Sequence, residues 1–334
     1  MASTLLAVPN VSEGRDERTI AAIAEGFAGA HGGARASGAG TGDGGAGGGE
    51  AGRGGASGEA GVRLLDVHSD RDHHRTVYTL AGPGDALVDA LLAGARVAVE
   101  RIDVTGRAAG AAGESGQHPH VGALDVAPLV YLRPQDRGLA CACALVLGER
   151  IGEELAVPVF LYGELTAGED GRVRSRAELR RGGAAGLAAR MADREQPLAP
   201  DFGPPRAHAS AGATLVAARE PLVAFNLQLA PPAGIAQATQ IAAEIREGGA
   251  DGLPGLRAIA VELAGGVAQV SMNVERPLEL PLARVAEAVR ARAPLAGAEL
   301  VGLAPAAALA GFPADLPMPG FDPARHVIEN ALRC

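Results

Sequence analysis

The sequence predicts an α/β protein, and three observations predict it. Apolar, β-branched runs alternate with stretches of helical spacing along the 334 residues. The order strand–helix–strand–strand–helix–strand is legible twice, in two units joined by a Gly/Pro-rich connector. No G-x-G-x-x-G follows the first strand, so a doubly wound dinucleotide fold has no fingerprint. Together these predict two similar ferredoxin-like α/β units, with mixed sheets and a boundary that divides 1–218 from 219–334.

The elements follow in order. Leu5–Pro9 is a short apolar strand, Asn10 to Gly14 a turn, and Asp16–Phe27 has helical spacing. Val62–Val67 and Arg75–Leu80 are strands rich in Val, Thr and Tyr. Asp85–Ile102 puts Ala86, Leu87, Ala90, Leu91, Ala95, Val97 and Ala98 on one broad helical face. Gly122–Leu132 is a strand, Leu139–Leu155 a helix containing Cys141 and Cys143, and Val157–Tyr162 an apolar strand. The second unit reads as strand Leu222–Leu229, helix Ile235–Glu247, paired strands Ile259–Leu263 and Ala268–Asn273, helix Leu282–Arg292 and strand Glu299–Leu303.

Two stretches break this grammar. Residues 31–60 hold 14 glycines and few large apolar side chains, so they predict a disordered surface insertion. Thr105–Gln117 predicts a loop that leads into a histidine motif.

Composition excludes several chemistries. All 30 basic residues are Arg, so no Schiff-base or P-loop lysine exists. A net charge of −9 argues against nonspecific nucleic-acid binding. Three cysteines supply neither a disulfide framework nor a four-cysteine zinc site. The N-terminus lacks the basic region of a signal peptide, and no apolar run approaches the roughly 20 residues of a membrane span. A cytoplasmic protein is expected.

Five of the eight histidines fall in two segments, His68-Ser69-Asp70-Arg71-Asp72-His73-His74-Arg75 and His118-Pro119-His120. Histidine titrates near neutrality, so such clustering suits proton transfer or metal binding.

Seven motifs in one order carry a resemblance: Val8-Pro9-Asn10-Val11-Ser12-Glu13-Gly14; Leu64-Leu65-Asp66-Val67 with His74-Arg75-Thr76-Val77-Tyr78-Thr79; His118-Pro119 with Gly122-Ala123-Leu124-Asp125-Val126; Val157 to Glu164; Ala199 to Pro204; Gly212-Ala213-Thr214 with Arg219; and Val223-Ala224-Phe225-Asn226. The series resembles the formiminotransferase domain of the formimidoyltransferase-cyclodeaminase family, over nearly the whole chain apart from the two interrupting stretches.

The resemblance implies two α/β subdomains facing each other across a groove that binds formiminoglutamate and tetrahydrofolate, the latter as co-substrate, with no metal. It implies transfer of the formimino group to N5 of the folate, as in histidine degradation and one-carbon metabolism. It makes His118 the catalytic general acid/base, since one proton must leave N5 and another must reach the departing glutamate nitrogen. It places Arg75 on a substrate carboxylate, and Asp125 and Asn10 along the groove. It lays the folate against Gly203, Pro204, Pro205, Arg206, Ala207, His208, Ala209, Ser210, Ala211 and Gly212. Three substitutions depart from the family pattern: His120 for Arg, Ala211 for an aromatic, and Glu220 for Lys after Arg219. His68 stands at a position that is acidic in some members, where Asp70 and Asp72 could supply the carboxylate. With no further helical segment after residue 334, a monofunctional enzyme is expected, and exposed apolar helix faces make a homodimer an expectation too.

Two other readings stay open on residues alone. Asp70, Asp72, His73, His74, His118 and His120 have the donor types of a metal-dependent hydrolase, although they match no H-E-x-x-H or H-x-H-x-D-H spacing. The departures at His120, Ala211 and Glu220 would suit a folate-binding paralogue without turnover.

Overall fold

The computed structural model describes residues 3–29, 61–109, 119–169 and 171–333. His118 and the 31–60 stretch lie outside the described residues. The expectations made for them are carried by sequence alone.

The first unit is built on strands β1 (Leu5–Ala7), β2 (Asn10–Val11), β3 (Arg63–Asp70), β4 (Arg75–Gly82) and β5 (Leu124–Val130), with helices α1 (Glu17–Ala28) and α2 (Gly84–Arg101). Pro9 has no backbone N–H to donate, and it separates β1 from β2. The two pieces form one interrupted line between β4 and β5, with a register shift at Asn10/Val11. The resulting order, β3–β4–β1/β2–β5, is the split βαβ arrangement of a ferredoxin-like unit.

The second unit repeats it. Strands β8 (Val223–Leu229), β9 (Leu256–Leu263), β10 (Val267–Val274) and β11 (Leu295–Val301) pair antiparallel in the order β11–β8–β10–β9. Helices α7 (Ile235–Ile245) and α8 (Leu282–Arg290) cover one face, around a core of Phe225, Leu227, Ile241, Val270 and Val285.

The connector is more ordered than its composition suggests. After α3 (Val104–Ala109), α4 (Arg137–Glu154) and β6 (Val159–Leu161) come two short helices, α5 (Arg176–Leu179) and α6 (Gly183–Met191), then β7 (Thr214–Arg219). Strand β7 runs parallel to both β5 and β6 and extends the first sheet to seven strands. It lies between α4 on one side and the cluster of Leu179, Leu187 and Met191 on the other. A parallel strand buried on both faces shows no apolar–polar alternation, which is why Thr214–Arg219 escapes a reading based on periodicity. The loop expected over Thr105–Gln117 is corrected in part: Val104–Ala109 is helical.

The two sheets turn their uncovered faces toward each other. Leu6, Ala81 and Val130 of the first meet Leu303, Ile328 and Ala331 near the C-terminus. Polar ties complete the seam. His68 Nε2 lies 3.2 Å from Glu299 Oε1, and Asp72 Oδ2 accepts from the Ala264 N–H at 3.3 Å. Arg63 donates to the carbonyls of Ala331 and Leu332 at 3.2 and 3.1 Å.

Candidate active site

Between the facing sheets lies a cavity of about 60 Å³. Leu6, Val8, Leu222, Leu303 and Ile328 give it an apolar end, whereas Arg75, Arg176, Arg180 and Arg219 give it a cationic one. A smaller recess of about 10 Å³ shares Asn10, Arg75 and Arg180 with it and adds Ser12, His73, His74, His120 and Asp125.

Sequence and local structure place each of these groups. The broken strand brings Asn10 to the rim, with its amide donating to the Val8 carbonyl at 3.1 Å. Arg75 opens β4, immediately after His74, whose φ of +50° turns the chain sharply. His74 Nδ1 accepts from the Gly14 N–H at 3.0 Å. A Cβ on Gly14 would sit 2.2 Å from the Asp70 carbonyl oxygen, so glycine is what lets the first turn approach the β3–β4 turn. Asp125 accepts from the Val121 N–H at 2.8 Å and pairs closely with Arg180.

The electrostatics are unbalanced. Burial lowers the Arg75 pKa to about 10, with Arg180 adding repulsion and Asp70, Asp125 and Glu299 opposing the shift. Burial likewise takes Arg219 down to about 10. Both remain cationic at neutral pH. Among the described residues, the Nε atoms of Arg75, Arg180 and Arg219 are buried without a hydrogen-bond partner. A buried N–H of a cation left unmatched is costly, so three around one cavity mark a place prepared for an anion.

Beside the recess, Asp70 accepts from the backbone N–H groups of Asp72 and His73 at 2.9 and 2.8 Å, and its second oxygen lies 2.5 Å from His73 Nδ1. Burial pushes the Asp70 carboxyl upward, but the bonds to His73 outweigh it and hold the pKa at about 2. Among the described residues, no group of three or more His, Cys, Asp or Glu side chains is arranged to hold a metal ion.

Of the residues singled out in the sequence, Asn10, Arg75 and Asp125 converge on this site. The segment from Gly203 to Gly212 lines neither cavity. It works as a brace: His208 and Gly212 exchange backbone hydrogen bonds of 2.8 and 3.1 Å. His208 Nδ1 caps the turn by accepting from the Ala211 N–H at 3.0 Å, and Gly212 bridges to Gly122. Ala211 is fully buried in the main core. The segment so supports the stretch that carries His120 and Asp125.

Sequence reasoning missed Arg176 and Arg180. The signal was present in the five arginines of Arg172–Arg181, which are too many for one short surface stretch without acidic partners in equal number.

Comparisons with known proteins show the family. The family model described as formiminotransferase domain, N-terminal subdomain, matches residues 4–219. The glutamate formimidoyltransferase of Streptococcus pyogenes serotype M1 is 35% identical over 81% of this chain and 89% of its own length. That of Thermoplasma acidophilum is 34% identical over 74% of this chain and 80% of its own. The formimidoyltransferase-cyclodeaminase of Gallus gallus is 38% identical over 75% of this chain, but the match covers 46% of the bird protein. The chain thus spans about half the length of the formimidoyltransferase-cyclodeaminases it matches. By the extent of these matches, the chain belongs to the formiminotransferase family.

Proposed function

We propose that this protein transfers the formimino group from N-formimino-L-glutamate to N5 of tetrahydrofolate, giving 5-formiminotetrahydrofolate and L-glutamate. The observation that carries the reading is the set of three buried arginine Nε atoms at the inter-sheet cavity that have no partner among the described residues. Formiminoglutamate brings two carboxylates, and a guanidinium fork matches a carboxylate in charge and in geometry. A volume of about 60 Å³ suits a carboxylate end rather than a pteridine, so Arg75, Arg180 and Arg219 would hold the acid group while the folate approaches from outside the chamber.

The reaction needs little else. N5 attacks the amidine carbon, a tetrahedral adduct forms, and the C–N bond to glutamate breaks. The proton from N5 goes to the departing nitrogen, so atoms and charge balance. We assign that proton relay to His118, because histidine is the residue type suited to accept and return a proton near neutral pH. Asp125 keeps Arg180 aimed at the chamber through their ion pair. The segment from Gly203 to Gly212 acts on folate indirectly, by supporting the stretch below the recess. The boundary between residues 218 and 219 falls one residue before the end of β7, where the chain leaves the first sheet, and a reducing cytoplasm suits the free thiols of Cys141 and Cys143.

The test mixes the protein with tetrahydrofolate and formiminoglutamate and follows 5-formiminotetrahydrofolate by absorbance. Steady turnover is expected, with a loss of about 10²–10⁴-fold in His118→Ala. Folate binding without turnover would instead favour the non-catalytic paralogue. Activity that rises in proportion to added zinc would favour the hydrolase. Full activity in His118→Ala would remove the histidine assignment.

A further inference from the structure

The guanidinium groups that line the inter-sheet cavity, those of Arg75, Arg176, Arg180 and Arg219, fall into two pairs. After burial, the repulsion that lowers the Arg75 pKa comes from Arg180, and the repulsion that lowers that of Arg219 comes from Arg176. Arg176 opens α5 and Arg180 caps it, with the Arg180 N–H donating to the Arg176 carbonyl at 2.9 Å. At a rise of 1.5 Å per residue, that turn offsets the anchors of the two pairs by about 6 Å.

The charges do not balance. Arg180 pairs with Asp125, and Arg176 lies 4.0 Å from Glu275. Arg75 and Arg219 take part in no ion pair among the described residues, and each has a buried Nε without a hydrogen-bond partner there. One uncompensated cation is thus left in each pair. A single carboxylate answers one of them, and a dicarboxylate that spans a helical turn answers both.

The two pairs have different surroundings. Arg75 and Arg180 also border the smaller recess, with His73, His74 and His120, whereas Arg176 and Arg219 do not. The second pair stands near the carboxyl ends of the parallel strands β6 and β7, a common ligand position in α/β sheets. Tyr162, the residue after β6, is 5% exposed, and its hydroxyl has no hydrogen-bond partner among the described residues. The Arg176 guanidinium lies 5.8 Å from the centre of its ring. One O–H donor and two guanidinium groups are the donor set of a carboxylate cradle.

Resting on the proposed transfer from formiminoglutamate, we infer that the site gauges the length of the donor. Arg75 and Arg180 take the α-carboxylate, next to the nitrogen that releases the formimino group. Arg176, Arg219 and Tyr162 take the side-chain carboxylate, which makes Arg176 and Tyr162 specificity-determining residues. A donor one methylene shorter, as an aspartate derivative is, leaves the second cradle unmatched.

Calorimetric titration with glutarate, succinate and butyrate tests this without turnover. Glutarate has the carbon length of glutamate, succinate is one methylene shorter, and butyrate has a single carboxylate. Wild type should bind glutarate at least about tenfold more tightly than either of the others, because only glutarate reaches both pairs. Arg176→Met should shrink that preference to about twofold or less. Tyr162→Phe, the milder change, should weaken glutarate about three- to tenfold and leave butyrate where it was. In turnover with tetrahydrofolate, Arg176→Met should raise KM for formiminoglutamate more than it lowers kcat, a split that loss of folded protein would not give. Succinate bound as tightly as glutarate by wild type, or a glutarate preference intact in both variants, overturns the proposal. A glutarate preference in a protein that turns over no formiminoglutamate would support the length gauge and remove the transfer reading.

Discussion

The two ferredoxin-like units share one topology and present opposite chemistry to each other. On β8 and β10 of the second unit, the residues paired opposite one another behind the core face are Asn226 with Ser271 and Gln228 with Gln269, all neutral. The same face carries Glu299, held by His68 and by Asn226 at 2.8 Å, and toward its edge Arg257, opposite Asn273. The corresponding face of the first unit carries Arg75, Asp125 and His68, and the connector adds Arg176, Arg180 and Arg219. Topology supplies two equivalent platforms, and the placement of buried charge decides which becomes the reactive wall. On the proposed reading, the second unit is the less charged cover over the cationic wall of the first.

The sharpest way to break this contrast is to remove one residue from each wall. Arg75→Met should lower kcat/KM by about 10³-fold, about 4 kcal/mol of transition-state binding, because a buried carboxylate contact is lost. Asn273→Ala, on the opposite wall, should cost less than tenfold. Stability should move the other way. A depressed arginine pKa means that folding works against the charged form, so Arg75→Met leaves the free protein no less stable than wild type. Steady-state kinetics and thermal melts on the same two variants check both statements. Equal kinetic losses from the two walls would end the asymmetry.

A second contrast lies in the turns that enter the first helix of each unit. A Cβ on Gly14 would stand 2.2 Å from the Asp70 carbonyl oxygen and 2.6 Å from the Arg75 nitrogen, whereas one on Gly234 would meet nothing within 4 Å. Gly14→Ala should therefore cost about 3 kcal/mol, and Gly234→Ala less than about 1 kcal/mol. Urea titrations distinguish them, and a Gly14→Ala variant as stable as wild type would show that the turn can relax.

Much of this organisation is legible in the residues themselves. Helix α2 falls at Gly84–Arg101 against an expected Asp85–Ile102, and α4 at Arg137–Glu154 against Leu139–Leu155, since their buried faces are long and periodic. Strand β11 begins at Leu295 rather than Glu299. A register shift at Gly297 breaks the alternation that would have extended it. The connector helices α5 and α6 were hidden by their length, four and nine residues with glycines between them. Asn10, Arg75 and Asp125 could be found because local motifs surround them. Arg180 could not be tied to Asp125, because 55 residues separate the pair and only the seven-stranded sheet brings them together.

The acid stability of the first unit gives a third test. Asp70 is held at about 2, well below its unfolded value, by its bonds to His73 after burial has pushed the other way. A depressed carboxyl stabilises the fold at all pH values above its unfolded pKa. That contribution fades as pH falls from about 4 to about 2. Asp70→Asn should lose about 2 kcal/mol at pH 7 and flatten stability across that acid window. Chemical denaturation at pH 7, 4 and 3 checks it. An unchanged slope in the variant would mean that another carboxylate controls the limb.

The smallest effect is expected at the seam itself. Glu299 is held below the usual carboxylate range first by its bond to His68, against burial, with Asn226 assisting. The pair is partly open to solvent, with side-chain exposures of 24% and 33%, so screening limits its worth. His68→Gln keeps a donor of similar reach and should cost no more than about 0.5 kcal/mol, whereas His68→Ala leaves one Glu299 oxygen short of a partner and should cost about 1 kcal/mol. Because the contact joins the two walls, its loss should appear as a raised KM for formiminoglutamate with kcat nearly intact. If kcat falls and KM stays fixed, the second unit does more than cover the first, and the view of one reactive wall facing a passive one would have to be given up.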